Sequence, residues 1–136
     1  MTELADKLRQ TTGWDAQMRE LMLAGRVLPS PSDALCQPEH EVPGCESQVW
    51  LSCTVNLQGL LSVQAWSNSK IVRGLLAVLI EYVQSHSIAE IQSLDLAGYL
   101  DTLGLGRHLS QSRSNGLNAV MSAIKSRAMA LNLNQP

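Results

Sequence analysis

Cys36, His40 and Cys45 bring two thiols and an imidazole into one stretch of this 136-residue chain. Two chemistries use such groups: a thiolate is a nucleophile towards sulfur, and thiolates with imidazole can begin a zinc site. Cys45 is set apart by its neighbours. Pro43 fixes its own φ, Gly44 opens a backbone conformation closed to other residues, and Glu46 follows the thiol. Pro43, Gly44 and Glu46 therefore predict a turn that presents Cys45 at a loop tip, in front of a strand. The zinc alternative, a metal-binding or scaffold protein using Cys36, His40 and Cys45, lacks a fourth ligand at module spacing and any Cys-x-x-Cys pair. A papain-like hydrolase would need an orienting histidine, and His86 and His108 read instead as helix-end or surface residues. No metal site is expected.

The remaining thiols have plainer readings. Cys53 falls on the same face as Val49, Leu51 and Val55 and reads as a small core residue. Cys36 lies in the Pro-rich connection from Pro29 to Pro43 and reads as a solvent-facing thiol. An odd count of three cysteines does not describe a disulfide framework. A formal net charge of -2 and a pI near 5.9 argue against a phosphate-backbone binder, so no nucleic-acid partner is expected. With aromatics at 4% and no Phe, a stacking platform for bases is also unsupported. The opening Met1-Thr2-Glu3-Leu4-Ala5-Asp6-Lys7 has no apolar region of a secretory signal, and the longest apolar run, Leu75 to Ile80, is too short for a bilayer. The expectation is a cytoplasmic protein with no membrane partner.

These groups need a frame to hold them. At 45% hydrophobic residues the chain can bury a core, and residues 1–136 read as a single domain. Leu4, Ala5 and Leu8 mark a first helix ending near Thr12-Gly13. A second starts near Trp14-Asp15, takes its apolar stripe from Met18, Leu21, Met22 and Leu23, and stops at Gly25. Pro29 to Pro43 reads as a long loop with one helical turn near Asp33 to Cys36. Gln48 to Asn56 and Leu60 to Trp66 alternate as the strands of a hairpin. A central helix follows from Ser69 to Gln84, where Gly74 predicts close approach of another backbone. Short helices cover Ile88 to Gln92 and Leu96 to Leu103. The last helix is expected to start after Ser112 or Ser114 as cap, with Lys125 and Arg127 on a solvated face. The sum is an α+β fold, a small antiparallel sheet of about three strands with helices packed on it.

The motifs in this frame carry a family resemblance. Gly44-Cys45-Glu46-Ser47-Gln48-Val49-Trp50 resembles the signature of the SufE family of sulfur-acceptor proteins. Ser67-Asn68-Ser69-Lys70-Ile71-Val72-Arg73-Gly74-Leu75 looks like the family's entry into its central helix. Leu103-Gly104-Leu105, followed by His108-Leu109-Ser110-Gln111-Ser112-Arg113-Ser114-Asn115-Gly116-Leu117, is similar to its C-terminal Leu-Ser-x-Ser-Arg-x-x-Gly-Leu motif. Trp14 through Gly25-Arg26-Val27-Leu28-Pro29 also fits. One departure is Ala65-Trp66, where the family usually has Gly-Asp.

The resemblance implies the same α+β architecture and a definite chemistry. Cys45 would bear a persulfide received from a PLP-dependent cysteine desulfurase, SufS-like or CsdA-like, whose turnover the chain would raise. The sulfur would pass to an iron–sulfur scaffold or a related acceptor. Such a chain is a carrier and activator rather than a stand-alone enzyme, with no cofactor of its own. Arg113, within the C-terminal motif, is a possible brace for the cysteine loop. No Lys or Arg lies near Cys45 in sequence, so activation of the thiol is expected to come largely from the partner's site.

Overall fold

The computed structural model describes residues 3–45 and 47–133. Among them, six helices and two strands run in the order α1 (Glu3–Gln10), α2 (Trp14–Gly25), β1 (Val49–Val55), β2 (Leu61–Ser67), α3 (Lys70–Gln84), α4 (Ile88–Ile91), α5 (Leu96–Thr102) and α6 (Gln111–Leu133). Short 3-10 turns at Pro38–His40 and Gly106–His108 punctuate the two longest connections. The α+β class and the helix order match the expectation, with most boundaries within a residue or two.

The sheet is smaller than expected. β1 and β2 pair antiparallel from Val49↔Ser67 to Val55↔Leu61, and no third strand joins them among the described residues. The segment before the cysteine comes closest. Glu41 bridges Trp50, and the Val42 amide donates to the Val49 carbonyl at 2.8 Å. Pro43 then brings no N–H and Gly44 turns away at φ +86°, so pairing ends after one bridge. The hairpin closes through Asn56, whose Oδ1 accepts from the amides of Gln58 and Leu60 at 2.9 and 3.0 Å.

α3 is the axis of the molecule. Ser69 caps it, its hydroxyl accepting from the Val72 amide at 3.3 Å. Leu75, Leu76 and Leu79 are fully buried, each stabilising the fold by about 1.5–3 kcal/mol. An apolar surface wider than one stripe is needed because α3 meets α2, β2 and α6. Gly74 makes the α2 crossing possible: a Cβ there would overlap the backbone carbonyl of Leu21. The close approach predicted from this glycine is present.

Three expectations are corrected by packing. α2 buries Gln17, Leu21, Ala24 and Gly25, leaving Met22 and Leu23 at 41% and 42% exposure. α6 begins at Gln111, earlier than expected, because the Ser110 hydroxyl takes the Arg113 amide at 3.2 Å. Lys125 and Arg127 do not form a free solvated face. Lys125 Nζ donates to the Leu94 carbonyl at 2.8 Å, and Arg127 donates to the Leu51 carbonyl at 2.7 Å. Both cations thereby tie α6 to the rest of the fold. Among the described residues no helix is long and apolar enough to cross a membrane.

Candidate functional site

The turn before β1 has the predicted form. Gly44 adopts φ +86°, a conformation that L side chains rarely take, and Pro43 precedes it. The base of the loop is pinned by the Val42–Val49 hydrogen bond. A polar relay adds to it: Asn68 donates to Gln48 at 3.1 Å, and Gln48 donates to the Glu41 carboxylate at 3.0 Å. Glu46, expected to share in the turn, lies outside the described residues.

Cys45 is half-buried and packs against the core. Its Sγ points at the start of α6 and donates a long hydrogen bond to the Gly116 carbonyl at 3.7 Å. The two backbones are close, yet a Cβ on Gly116 would lie 3.5 Å from Sγ, in ordinary contact. Beside the thiol is a cavity of about 130 Å³, walled by Ser69 and Val72 of the α3 entry, Val49 of β1, and Ser112, Arg113 and Gly116 of α6. These walls come from the three motifs singled out in the sequence. The sequence offers Ser69 and Ser112 only as helix-start residues and leaves Gly116 without a role; their membership of the motifs is the signal for the site.

The electrostatics disfavour a resting thiolate. Burial pushes the Cys45 thiol up from its ordinary range, and the Glu41 carboxylate pushes it further. Among the described residues, the carboxylate acting on the thiol is Glu41, four residues upstream and held by Gln48. Arg113 lines the cavity, yet its guanidinium donates to the His108 carbonyl at 3.1 Å. Arg113 thus stands in the cavity wall and is tied to the segment before α6.

Other candidate residues lie elsewhere. Cys36 is half-buried in the 29–43 connection. Cys53 is half-buried on β1, its thiol pushed up by burial with partial relief from Arg127. Among the described residues no three His, Cys, Asp or Glu side chains gather to hold a metal ion, so Cys36, His40 and Cys45 do not form a triad.

His108 is not a surface histidine. It is fully buried, and its Nε2 lies 3.1 Å from Gln17 Oε1, which also accepts from Arg107 at 3.1 Å. Trp14 stacks on the ring at 4.3 Å. A carbonyl-type acceptor on Nε2 places the proton there in the neutral ring, and Nδ1 finds no partner among the described residues. Burial, then the charges of Arg107 and Arg113, depress its pKa. The partner that buries it is on α2, far away in sequence.

The departure Ala65-Trp66 is also resolved. Ala65 enters the core, while the half-buried Trp66 ring lies under the Arg73 guanidinium, 4.6 Å from its centroid.

Comparison with known proteins agrees with this arrangement. The sulfur acceptor protein CsdE of Escherichia coli (strain K12) is 42% identical over 127 residues, covering 90% of this chain and 86% of the relative. A Thermus thermophilus protein solved in solution shares the fold, with a TM-score of 0.78 at 13% identity, over 97% of this chain and 95% of that one. The family described as SufE, Fe-S metabolism associated domain, matches residues 2–128. With that match spanning almost all of the fold, cysteine turn, α3 entry and α6 start included, the chain belongs to the SufE family.

Proposed function

We propose that Cys45 accepts sulfur from a PLP-dependent cysteine desulfurase in the cytoplasm, that the chain stimulates this enzyme, and that the sulfur moves on to an iron–sulfur scaffold or related acceptor. The observation that carries this reading is the seat of Cys45. The thiol stands at a cavity where the family's three motifs converge, on a turn pinned at its base but free of the sheet at its tip. The relative CsdE, named a sulfur acceptor, supports the same role.

In the transfer, the Cys45 thiolate attacks the outer sulfur of the donor's Cys-S-SH. The donor S–S bond breaks, a new one forms on Cys45, and the donor cysteine leaves as a thiolate. Sulfur moves without net oxidation or reduction. Burial and Glu41 hold the resting thiol protonated, which suits a carrier that should not react before docking. The partner's site then has to supply the thiolate, by drawing the turn out of its seat or by offering positive charge. This makes the chain a co-substrate of the desulfurase. The metal-binding alternative has no cluster to support it among the described residues.

The test is intact mass after incubation with a cysteine desulfurase, its PLP and cysteine. The chain should gain one sulfur, about 32 Da, lost again on adding dithiothreitol because persulfides exchange with thiols. Peptide mapping should place it on Cys45, and Cys45→Ser should abolish it. Sulfur found on Cys36 in that variant, with stimulation of the desulfurase intact, would overturn the assignment.

A further inference from the structure

A second cleft, of about 330 Å³, lies where the end of α2 meets the start of α3. Arg26, Lys70 and Arg73 line it together with Ser30, Met22 and Trp66, and no described acidic residue does. The crossing of α2 and α3 forces these cations together. A Cβ on Gly25 would lie only 3.0 Å from the Gly74 nitrogen and 3.1 Å from Arg73 Cβ.

Among the described residues nothing compensates the positive charge here. The side chains of Arg26 and Lys70 make no hydrogen bond or ion pair among the described residues, where the ion pairs are Arg9–Asp6 and His40–Glu39. Arg73 lies over Trp66, and its Nε is buried with no acceptor among the described residues. A buried donor on a charged group is costly when unsatisfied, so an acceptor from outside the chain is favoured. The cluster is local, for the chain as a whole carries a net charge of -2. Arginine adds geometric preference, because its planar donors match a carboxylate.

The position of the cleft identifies its occupant. Ser69 and Val72 line the Cys45 cavity, while their neighbours Lys70 and Arg73 line the cationic cleft. One helical turn of α3, about 5.4 Å of rise, therefore presents both sites. Lys70 and Arg73 thus adjoin residues of the cavity wall in sequence, within reach of a protein surface that covers Cys45. The cleft is also several times larger than a lone oxyanion and has apolar surface in Trp66 and the 41%-exposed Met22.

We infer that this cleft receives a carboxylate-bearing segment of the desulfurase that loads Cys45, an inference that rests on the proposed function. Its cations steer the acidic surface during encounter and add to the affinity of the docked complex.

The experiment measures the Kd of the chain for the purified PLP-loaded desulfurase at low and at physiological salt, alongside sulfur loading of Cys45 at saturating desulfurase. Arg26→Glu with Lys70→Glu should raise Kd roughly tenfold or more at low salt. The gap should narrow as salt rises, while loading at saturation stays normal. Arg26→Gln with Lys70→Gln should fall between wild type and charge reversal. Unchanged affinity in the charge-reversed chain, with wild type loaded normally, overturns this inference and leaves the sulfur-acceptor reading standing. A wild-type chain that takes no sulfur overturns that reading instead. Sodium phosphate that binds the cleft without weakening desulfurase affinity at matched ionic strength makes it a small-anion site and also overturns the docking role.

Discussion

Gly74→Ala is the sharpest test of how the two helices beside the site are held. Helix propensity alone favours alanine by about 1 kcal/mol. Packing opposes it, since the new Cβ would overlap the Leu21 carbonyl, a backbone atom that cannot rotate away. α2 would have to move as a body, and overpacking of this kind costs about 1–3 kcal/mol or more. Taking the upper figure because the obstacle is backbone, the net loss is about 2 kcal/mol. For a domain of this length that is a fall of roughly 5–10 °C in Tm. Gly116→Ala is the matched control. It too lies within a helix, but its Cβ would meet Cys45 Cα and Sγ at 3.5 Å, an ordinary contact. That variant should gain about 0.5–1 kcal/mol and melt a few degrees higher. Urea and thermal denaturation of both proteins read the difference. If Gly74→Ala were stabilised as much as Gly116→Ala, the α2–α3 approach described above would be wrong.

Gly44→Val should cost roughly 1–2 kcal/mol through backbone strain. Steric clash adds little, the nearest atom to a Cβ being that of Ala119 at 4.0 Å. Circular dichroism should stay normal while sulfur loading slows, and wild-type loading would mean that the turn does not present Cys45. Glu41→Gln should lower the pH midpoint for alkylation of Cys45 by iodoacetamide, without restoring an ordinary thiol, because burial is the larger cause of the shift. An unmoved midpoint would remove Glu41 from the account. His108 titrates lower in the folded chain, so the unfolded chain binds more protons and stability is lost as pH falls below about 6.5. Denaturation at pH 7.5 and 5.5 should show that loss, and His108→Gln should flatten it; an equal slope in both would refute the assignment.

What could be read from the sequence was local. The Val49/Leu51 alternation, the helix start near Ser69 and the Gly25 stop depend on neighbours a few residues away, and each element stands within a residue or two of where those signals place it. The turn at Pro43 and Gly44 was legible for the same reason. His108 was misread because its partner Gln17 is 91 residues distant. Lys125 and Arg127 look like surface cations until Leu94 and Leu51 bring carbonyls to them across the fold. The third strand failed at Pro43 and Gly44, residues already recognised as a turn. At the site, Glu41 was overlooked because only the bridge to Trp50 and the Gln48 relay bring its charge to the thiol.

The anchoring of Arg127 has a consequence for how the molecule behaves among its own copies. A two-stranded sheet has two open margins, and unpaired backbone groups there are templates for strand addition and aggregation. In this fold each margin is interrupted by non-strand partners. Val42 takes the Val49 carbonyl, Arg127 takes the Leu51 carbonyl, and the Gln84 side chain accepts the Val63 amide at 2.9 Å. A sister chain or an extended peptide therefore meets an interrupted ladder on either margin, which blunts the hairpin against strand addition.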